Sequence, residues 1–586
     1  MDDISFGEKL GETWKKLGVA FHLVKGMLPG GEFQLKSTKI HGPHSEFEVK
    51  SFKTVPNALG DHFRKFLEAN GDTEWLIYQG ERHTFRQAKE QMDALSIGLA
   101  DAFGAGRGSV ISIAMRNCTE FMLAFLAIQA LGGVAVPLNS LWGTSELEYA
   151  LKDSGTAVLI GDVHRLRLCT SCVSGLGIPT VLCRAGLAEA QELGCTLWED
   201  ILQRGKGKPP YSLKDVHPED SSMIMYTSGS TGFPKGVLHS QQALNNYLKV
   251  GMLSLKMMPD TNAASLMAVP LFHATALGAI FLLSMPRREK IVLMYKWDAK
   301  EALDLIEQES ITRFTGVPTM VRDMLEHPTF STERVKTLKT MAAGGAPTPA
   351  SQVSQMRQKA KKMTSAQGYG LTETLAMGTT IMGVEYLQHP TSCGRPMPML
   401  VDIVIKDPET GRVLPQGGRG EICIKSIFNM KGYMNKPEDT AKVVDTDGYF
   451  RTGDVGELHG GYLYIKDRLK DIIIRGGENI DCSEVEAALQ TYPGGSVREC
   501  SVFGIPEERL GEVVGAVLCL QGDQLPTTAQ LSAHAKSVLA AYKVPLPQHM
   551  FIQSDPLPKG ATGKIDKKGL REFHKNAASG PPASKL

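Results

Sequence analysis

From about Ser51 to Ile201, short apolar runs alternate with longer helical stretches. Val134–Leu138 and Ala157–Ile160 have the length of strands, and Glu120–Leu131 has the length of a helix. That alternation predicts βα units in a layered α/β architecture. A Lys/Gly/Pro-rich connector, Arg204–Pro210, comes next, and Met223–Tyr226 then reads as a buried strand feeding a Gly/Ser/Thr loop. A helix capped by Ser240 is expected after it, because strand–loop–helix is the setting of phosphate-binding loops. Beyond Gly394, the runs VDIVIKD, GRGEICIKS and GYLYIKD predict a β-rich subdomain. After Asp467-Arg468-Leu469-Lys470 the pattern becomes smaller and mixed. Helices are expected at Ser483–Leu489 and Thr528–Ala541, and strands at Ser501–Phe503 and Val513–Leu520. The expected organisation is an extension over 1–50, a large region over 51–466, a small domain over 467–575 and a tail over 576–586. No internal repeat is visible.

One apolar stretch, Ser265–Met285, is nearly long enough to span a bilayer. Pro270 and His273 interrupt it, so it reads as a buried strand over Ser265–Val269, a turn and a buried helix. Near the start, Phe6, Leu10, Trp14, Leu17, Phe21 and Val24 recur at helical spacing among Lys9, Lys15, Lys16 and Lys25. Such a helix either packs on its own domain or makes peripheral contact with a membrane surface. Asp2 and Asp3 replace the basic region of a signal peptide. The chain ends in NAASGPPASKL, and Ser584-Lys585-Leu586 matches the tripeptide read by the peroxisomal import receptor, so a peroxisomal location is expected.

Composition changes this picture little. The 586 residues are 42% hydrophobic and 22% charged, with net charge +1 and no long run of like charges, which argues against a nucleic-acid partner. Ten cysteines are too sparse for a disulfide framework, and Cys169, Cys172, Cys183 and Cys195 match no common zinc spacing.

The stretch YTSGSTGFPKGV, Tyr226–Val237, carries four Ser/Thr hydroxyls, three glycines and Lys235. Glycines let the backbone N–H groups approach a ligand, and hydroxyls and lysine add donors. A polyphosphate matches that donor list. The Walker pattern does not fit, because Lys235 follows Pro234 and Gly236 stands where a Ser or Thr would hold magnesium. Further clusters follow in order. Ala342–Pro347 (AAGGAP) can lie against a flat ring. Gln367–Thr374 (QGYGLTET) supplies an aromatic plane, a hydroxyl and a carboxylate. Tyr449–Asp454 (YFRTGD) ends a strand with a carboxylate. Asp467–Ile480 (DRLKDIIIRGGENI) is basic and glycine-rich, and Leu557–Lys564 (LPKGATGK) brings two lysines. Each alone reads as a turn or strand end. Their joint order carries the signal.

In these motifs, from about residue 55 to 573, the chain resembles the adenylate-forming superfamily of acyl-CoA synthetases, aryl-CoA ligases, beetle luciferases and peptide-synthetase adenylation domains. The resemblance implies a large N-terminal region of layered α/β subdomains and a small mobile α+β C-terminal domain on a hinge. It implies an acid–thiol ligase in which a carboxylate attacks MgATP to give acyl-AMP and pyrophosphate, after which coenzyme A takes the acyl group.

Site roles carry over by position. The resemblance implies that Thr227, Ser228, Gly229, Ser230, Thr231, Gly232 and Lys235 hold the β- and γ-phosphates, with Thr231 also near the metal. Gly344, Gly345, Ala346, Gly368, Tyr369 and Gly370 shape the adenine and acyl side of the pocket. Thr372 meets the α-phosphate, and Glu373 holds magnesium. Asp454 fits the residue bonding both ribose hydroxyls, with Arg468 and Asn479 completing the nucleotide site. Lys564 matches the lysine bridging attacking carboxylate and α-phosphate, where a fixed cation eases the approach of two anions. Lys470 occupies the hinge, and Gly476 and Gly477 match the segment meeting coenzyme A. Departures from the pattern are Asp467 where Gly is frequent, Asp481-Cys482-Ser483 where a proline is frequent, and lysines at 567 and 568 in place of an arginine.

Pro270–Gly278 resembles the wall where acyl and aryl substrates sit, with His273 as its polar residue. Amino-acid-activating relatives usually carry an aspartate there, so His273 argues against that class. Ala274, Ala276, Gly278, Gly344 and Gly345 suit an open apolar pocket and hence a medium- or long-chain fatty acid. The alternatives are an aryl-acid CoA ligase, a luciferase-like oxidative enzyme, separable by light emission, and a silent acyl- or adenine-binding protein. Lys564, Glu373 and Asp454 count against the last.

Overall fold

The computed structural model describes residues 31–227, 233–257, 259–345, 348, 350–359, 363–522, 524–559 and 565–578. The expected N-terminal helix, Ser228–Gly232, Ala346, Lys564 and the terminal tripeptide lie outside the described residues.

Two large sheets form the first part of the chain. An eight-stranded sheet runs in the order Gly432–Tyr433, Lys235–Ser240, Ser221–Thr227, Val134–Pro137, Val110–Ala114, Val158–Asp162, Thr180–Cys183 and Thr196–Leu197. A nine-stranded sheet has a parallel centre of Thr364–Tyr369, Thr340–Gly344, Arg313–Gly316, Ala264–Met267, Lys290–Leu293 and Glu74–Tyr78. Parallel strands need cover on both faces, which is why they read as continuous apolar runs. Part of the cover is the helix Thr119–Ala130, apolar all round and buried along its length. It touches Val110–Ala114 and Val134–Pro137 on one side and Glu74–Tyr78 on the other. Trp75 stacks on Phe85 and Phe281, and Phe125 meets Phe281 edge-on, so this helix locks the sheets into one core. Each such ring contributes about 1.5–3 kcal/mol by burial.

The βα alternation expected from the sequence is present. The three runs after Gly394 form an antiparallel sheet of Val401–Lys406, Gly420–Ser426, Phe450–His459 and Tyr462–Arg468. Two local expectations are corrected. The Gly/Ser/Thr loop joins two antiparallel strands, Ser221–Thr227 and Lys235–Ser240, rather than a strand and a helix. The helix that follows that second strand starts at Gln241 with the expected cap, Ser240 Oγ accepting from Ala243 N at 3.2 Å. The helix expected to reach Ala541 ends at Val538, because Leu539 turns extended (φ −118°, ψ 154°). The Ser265–Met285 stretch does fold as a strand, a turn and a helix, but the helix over Thr275–Leu282 is a π-helix. No described helix is long and apolar enough to cross a membrane.

From Ile473 onward the chain builds a separate core on the long hairpin Val497–Glu507/Gly511–Leu520, with the helix Cys482–Gln490 packed on it. That helix has no side-chain cap from its own Asp481. Asp467, at the end of the preceding sheet, supplies it: its carboxylate accepts from Cys482 N and, at 3.4 Å, from Ser483 N. Asp467→Ala is expected to cost about 1 kcal/mol there. Amide hydrogen exchange over Cys482–Val485 should speed up about fivefold. Unchanged exchange would show that the cap contributes nothing.

Candidate active site

Two of the clusters singled out in the sequence, Gln367–Thr374 and Tyr449–Asp454, meet the Lys235–Ser240 strand and Gly344 at the carboxyl ends of the parallel strands, where open α/β sheets bind ligands. Gly344 and Gly368 pair across Thr340–Gly344 and Thr364–Tyr369, so AAGGAP and QGYG lie side by side. Gly345 has φ +79°, a conformation that favours glycine. The chain then doubles back tightly through Thr372–Thr374, Leu375 (φ 54°) and Ala376 (φ 58°). A Cβ on Gly370 would stand 2.4 Å from the Ala376 carbonyl carbon, so only glycine admits this turn.

The turn is tied to the phosphate-loop hairpin. His239, on Lys235–Ser240, is fully buried, and burial pushes its imidazole down to about 4. It is therefore neutral at pH 7, and its Nε2–H donates to Thr372 O at 2.8 Å. Lys235 pairs with Asp439 at 2.8 Å and lies 4.9 Å over the Tyr433 ring. Its ammonium holds Asp439 below the usual carboxylate range. The Tyr433 hydroxyl donates to Glu373 Oε1 at 3.0 Å. Burial pushes the Glu373 carboxyl above its ordinary value, more than the Tyr433 hydroxyl and the Arg468 guanidinium pull it down.

The third group is Tyr369–Asp454–Arg468. The Tyr369 hydroxyl donates to Asp454 Oδ2 at 2.7 Å, and Arg468 Nε lies 3.1 Å from Oδ1. Asp454 faces Arg468 directly across its hairpin. Glu421 steadies the turn before it, accepting from Gly453 N at 3.0 Å and Arg451 Nε at 2.8 Å.

No group of three metal-binding side chains occurs among the described residues. Glu373 is a single hard-oxygen donor with one side-chain hydrogen bond. A nucleotide-borne Mg²⁺ takes one or two carboxylates and completes its shell with phosphate oxygens and water. Glu373 fits that mode and not an all-protein cage.

The apolar wall is also in place. Asn117 pins the turn beside His273, accepting from Leu271 N at 2.8 Å and donating to Val269 O at 3.0 Å. His273 is half-buried against Phe272, and Ala274 is buried. A Cβ on Gly344 would meet only Gly368 O at 3.6 Å, so this position has room. In the small domain, Gly476 (φ +60°) and Gly477 (φ +89°) form the two-residue turn between Ile473–Arg475 and Glu478–Ile480, at the exposed tip of that hairpin. Asn479 is exposed on the second strand, and Lys470 is exposed in the turn after Arg468. Neither makes a described contact with the Tyr369–Asp454–Arg468 group, so the structure does not gather these two into the site.

Sequence reasoning missed Tyr433, Asp439, His239 and Glu421. The first two lie in KGYMNKPEDT (Lys431–Thr440), whose acidic pair after Pro437 could have drawn attention as a partner for a phosphate-loop lysine. His239 and Glu421 carry no local signal.

Comparison with known proteins agrees with this geometry. The AMP-binding enzyme family matches residues 63–434, and the AMP-binding enzyme C-terminal domain matches residues 484–564. The long-chain-fatty-acid–CoA ligase FadD13 of Mycobacterium tuberculosis is 32% identical over 491 residues, covering 83% of this chain and 93% of its own. A feruloyl-CoA synthase from an Amycolatopsis species is 34% identical over 496 residues, covering 84% and 94%. Among solved structures, ATP-bound MatB from Rhodopseudomonas palustris superposes with a TM-score of 0.76 at 25% identity, over 88% of this chain and 99% of that one. Its apo form gives 0.68. The chain belongs to the AMP-binding, adenylate-forming enzyme family, in its acid–CoA ligase branch.

Proposed function

We propose that the protein activates a fatty acid, of medium or long chain, with ATP, and passes the acyl group through an adenylate to coenzyme A. The observation that carries this reading is the convergence of Lys235, Glu373 and the Tyr369–Asp454–Arg468 group on the strand ends beside the His273–Gly278 wall.

The residue roles are those that the family resemblance implies for these positions. Lys235 leaves Asp439 for the β- and γ-phosphates of ATP, for which Thr227–Gly232 would supply further donors. Tyr369 and Gly345 face the adenine ring, and the Asp454 carboxylate accepts from the ribose hydroxyls. Thr372 meets the α-phosphate. Glu373 would hold magnesium, which would supply positive charge beside the phosphates. Lys564 steadies the substrate carboxylate against the α-phosphate, and the exposed Gly476–Gly477 turn offers backbone to coenzyme A.

An aliphatic substrate is supported by the small residues Ala274 and Gly344 and by similarity to a fatty-acid ligase, whereas Gly278 is packed against Leu375 O and Tyr247 and leaves no room there. The second reading, an aryl acid, is favoured by the similarity to a feruloyl-CoA synthase. A panel of saturated acids from acetate to long chains beside cinnamate-type acids, read as CoA thioester, separates the two. A preference for cinnamates would overturn the aliphatic proposal. Gly344→Leu should shorten the longest acid accepted, because overpacking an apolar pocket costs about 1–3 kcal/mol. An unmoved chain-length profile would place the acyl pocket elsewhere.

A further inference from the structure

Glu499 is a buried carboxylate, 3% exposed, with no part in the chemistry proposed above. It lies on the strand Val497–Glu507 of the small domain. Its Oε2 accepts from Leu557 N at 2.7 Å. Its Oε1 takes Lys559 Nζ at 2.7 Å and Arg322 Nη2 at 3.3 Å. Arg322 comes from the other half of the molecule, on the helix Pro318–Glu326 that follows a strand of the nine-stranded sheet. Its second amino group donates to Arg498 O at 2.7 Å, so the guanidinium grips this strand by a side chain and a carbonyl together.

The far side of Glu499 faces the segment that matters for adenylation. Leu557 and Lys559 precede Lys564, and the backbones of Lys559 and Ile565 bridge, closing the segment at its base. One carboxylate thus joins an arginine of the large domain to the foot of the lysine segment. Burial alone would raise its pKa, but the Lys559 ammonium, the Leu557 N–H and the Arg322 guanidinium hold Glu499 below its ordinary value, so it stays charged. A buried carboxylate between two cations is costly to break, because removing it leaves like charges facing each other in a poorly solvated place.

We propose that Arg322 and Glu499 form a docking joint that sets the small domain, and with it the bridged pair Lys559 and Ile565, on the large domain for the adenylation half-reaction. Both are positioning residues. The inference rests on the ligase reading and adds to it a contact specific to one half-reaction.

Arg322→Ala is the cleanest test, since it leaves the Glu499–Lys559 pair, and hence the small domain's own fold, intact. Acid-dependent pyrophosphate release should fall about tenfold or more. Thioester formation from supplied acyl-AMP and coenzyme A should stay within twofold. Arg322→Lys keeps the charge without the fork and should recover part of the loss. Glu499→Gln should depress the same half-reaction, and if that variant does not fold, Arg322→Ala still decides. The joint is overturned if Arg322→Ala leaves pyrophosphate release within twofold of the unaltered protein, or lowers both half-reactions equally. Pyrophosphate release by the unaltered protein stands as evidence for the ligase by itself, so an unresponsive Arg322→Ala would remove the joint alone.

Discussion

Lys564→Ala is expected to slow acyl-adenylate formation by about a hundredfold or more. The adenylation step drives a carboxylate against a phosphate. Two like unit charges about 4 Å apart repel by about 4 kcal/mol at the effective dielectric of a protein site near solvent. A cation fixed between them offsets most of that, and a hundredfold corresponds to about 2.7 kcal/mol. The other motif lysines are otherwise placed, Lys470 being exposed in the turn after Arg468. Lys235 belongs to the phosphate loop, and Lys559 is committed to Glu499. The second half-reaction brings no second anion to the α-phosphate, so Lys564→Ala supplied with acyl-AMP and coenzyme A should still make thioester. Single-turnover assays of the two halves check this. Equal loss of both would remove Lys564 from its proposed role.

Glu373→Gln should abolish most turnover, by about two to three orders of magnitude, without weakening the fold. Glutamine has the same shape and keeps an oxygen to accept from the Tyr433 hydroxyl. What it lacks is the charge that would hold magnesium. The sign of the stability effect follows from the carboxyl's raised pKa. A carboxyl whose pKa is higher folded than unfolded makes the ionised form a cost to folding at neutral pH, and a neutral amide removes that cost. Thermal unfolding of Glu373→Gln at pH 7 should therefore occur at the same temperature as the unaltered protein or higher, while pyrophosphate release collapses. A buried charge that costs stability yet is needed for turnover is the pattern expected of a functional site. Retained activity, or a lower unfolding temperature, would contradict this assignment.

The site was legible in the sequence wherever chemistry is carried by short ordered motifs. QGYGLTET could be read because Gly370 and the residues after it must make one tight turn, and the turn places Thr372 and Glu373 whatever surrounds them. Partners distant along the chain were not legible. Nothing near Lys235 says that Asp439 neutralises it, and nothing near Glu373 says that Tyr433 caps it, since Asp439 arrives about two hundred residues after Lys235 and Tyr433 arrives 60 residues after Glu373. The hairpin was missed because Lys235–Ser240 is half polar, and a six-residue strand beside a Gly-rich loop has no period long enough to separate it from the helix behind. The π-helix of Thr275–Leu282 was invisible for another reason: apolar composition fixes burial but not the hydrogen-bond register. Asp467 was read as a departure from a family pattern. Its work as the cap of Cys482–Gln490 appears only when strand and helix are seen together.

Acid-dependent exchange of labelled pyrophosphate into ATP, measured without coenzyme A, tests the central claim most directly. If the chain forms an acyl adenylate, at least one carboxylic acid will drive exchange, and adding coenzyme A will discharge the bound intermediate as thioester with one AMP per acyl group. Formation of thioester without any exchange, accompanied by ADP and orthophosphate, would contradict the account.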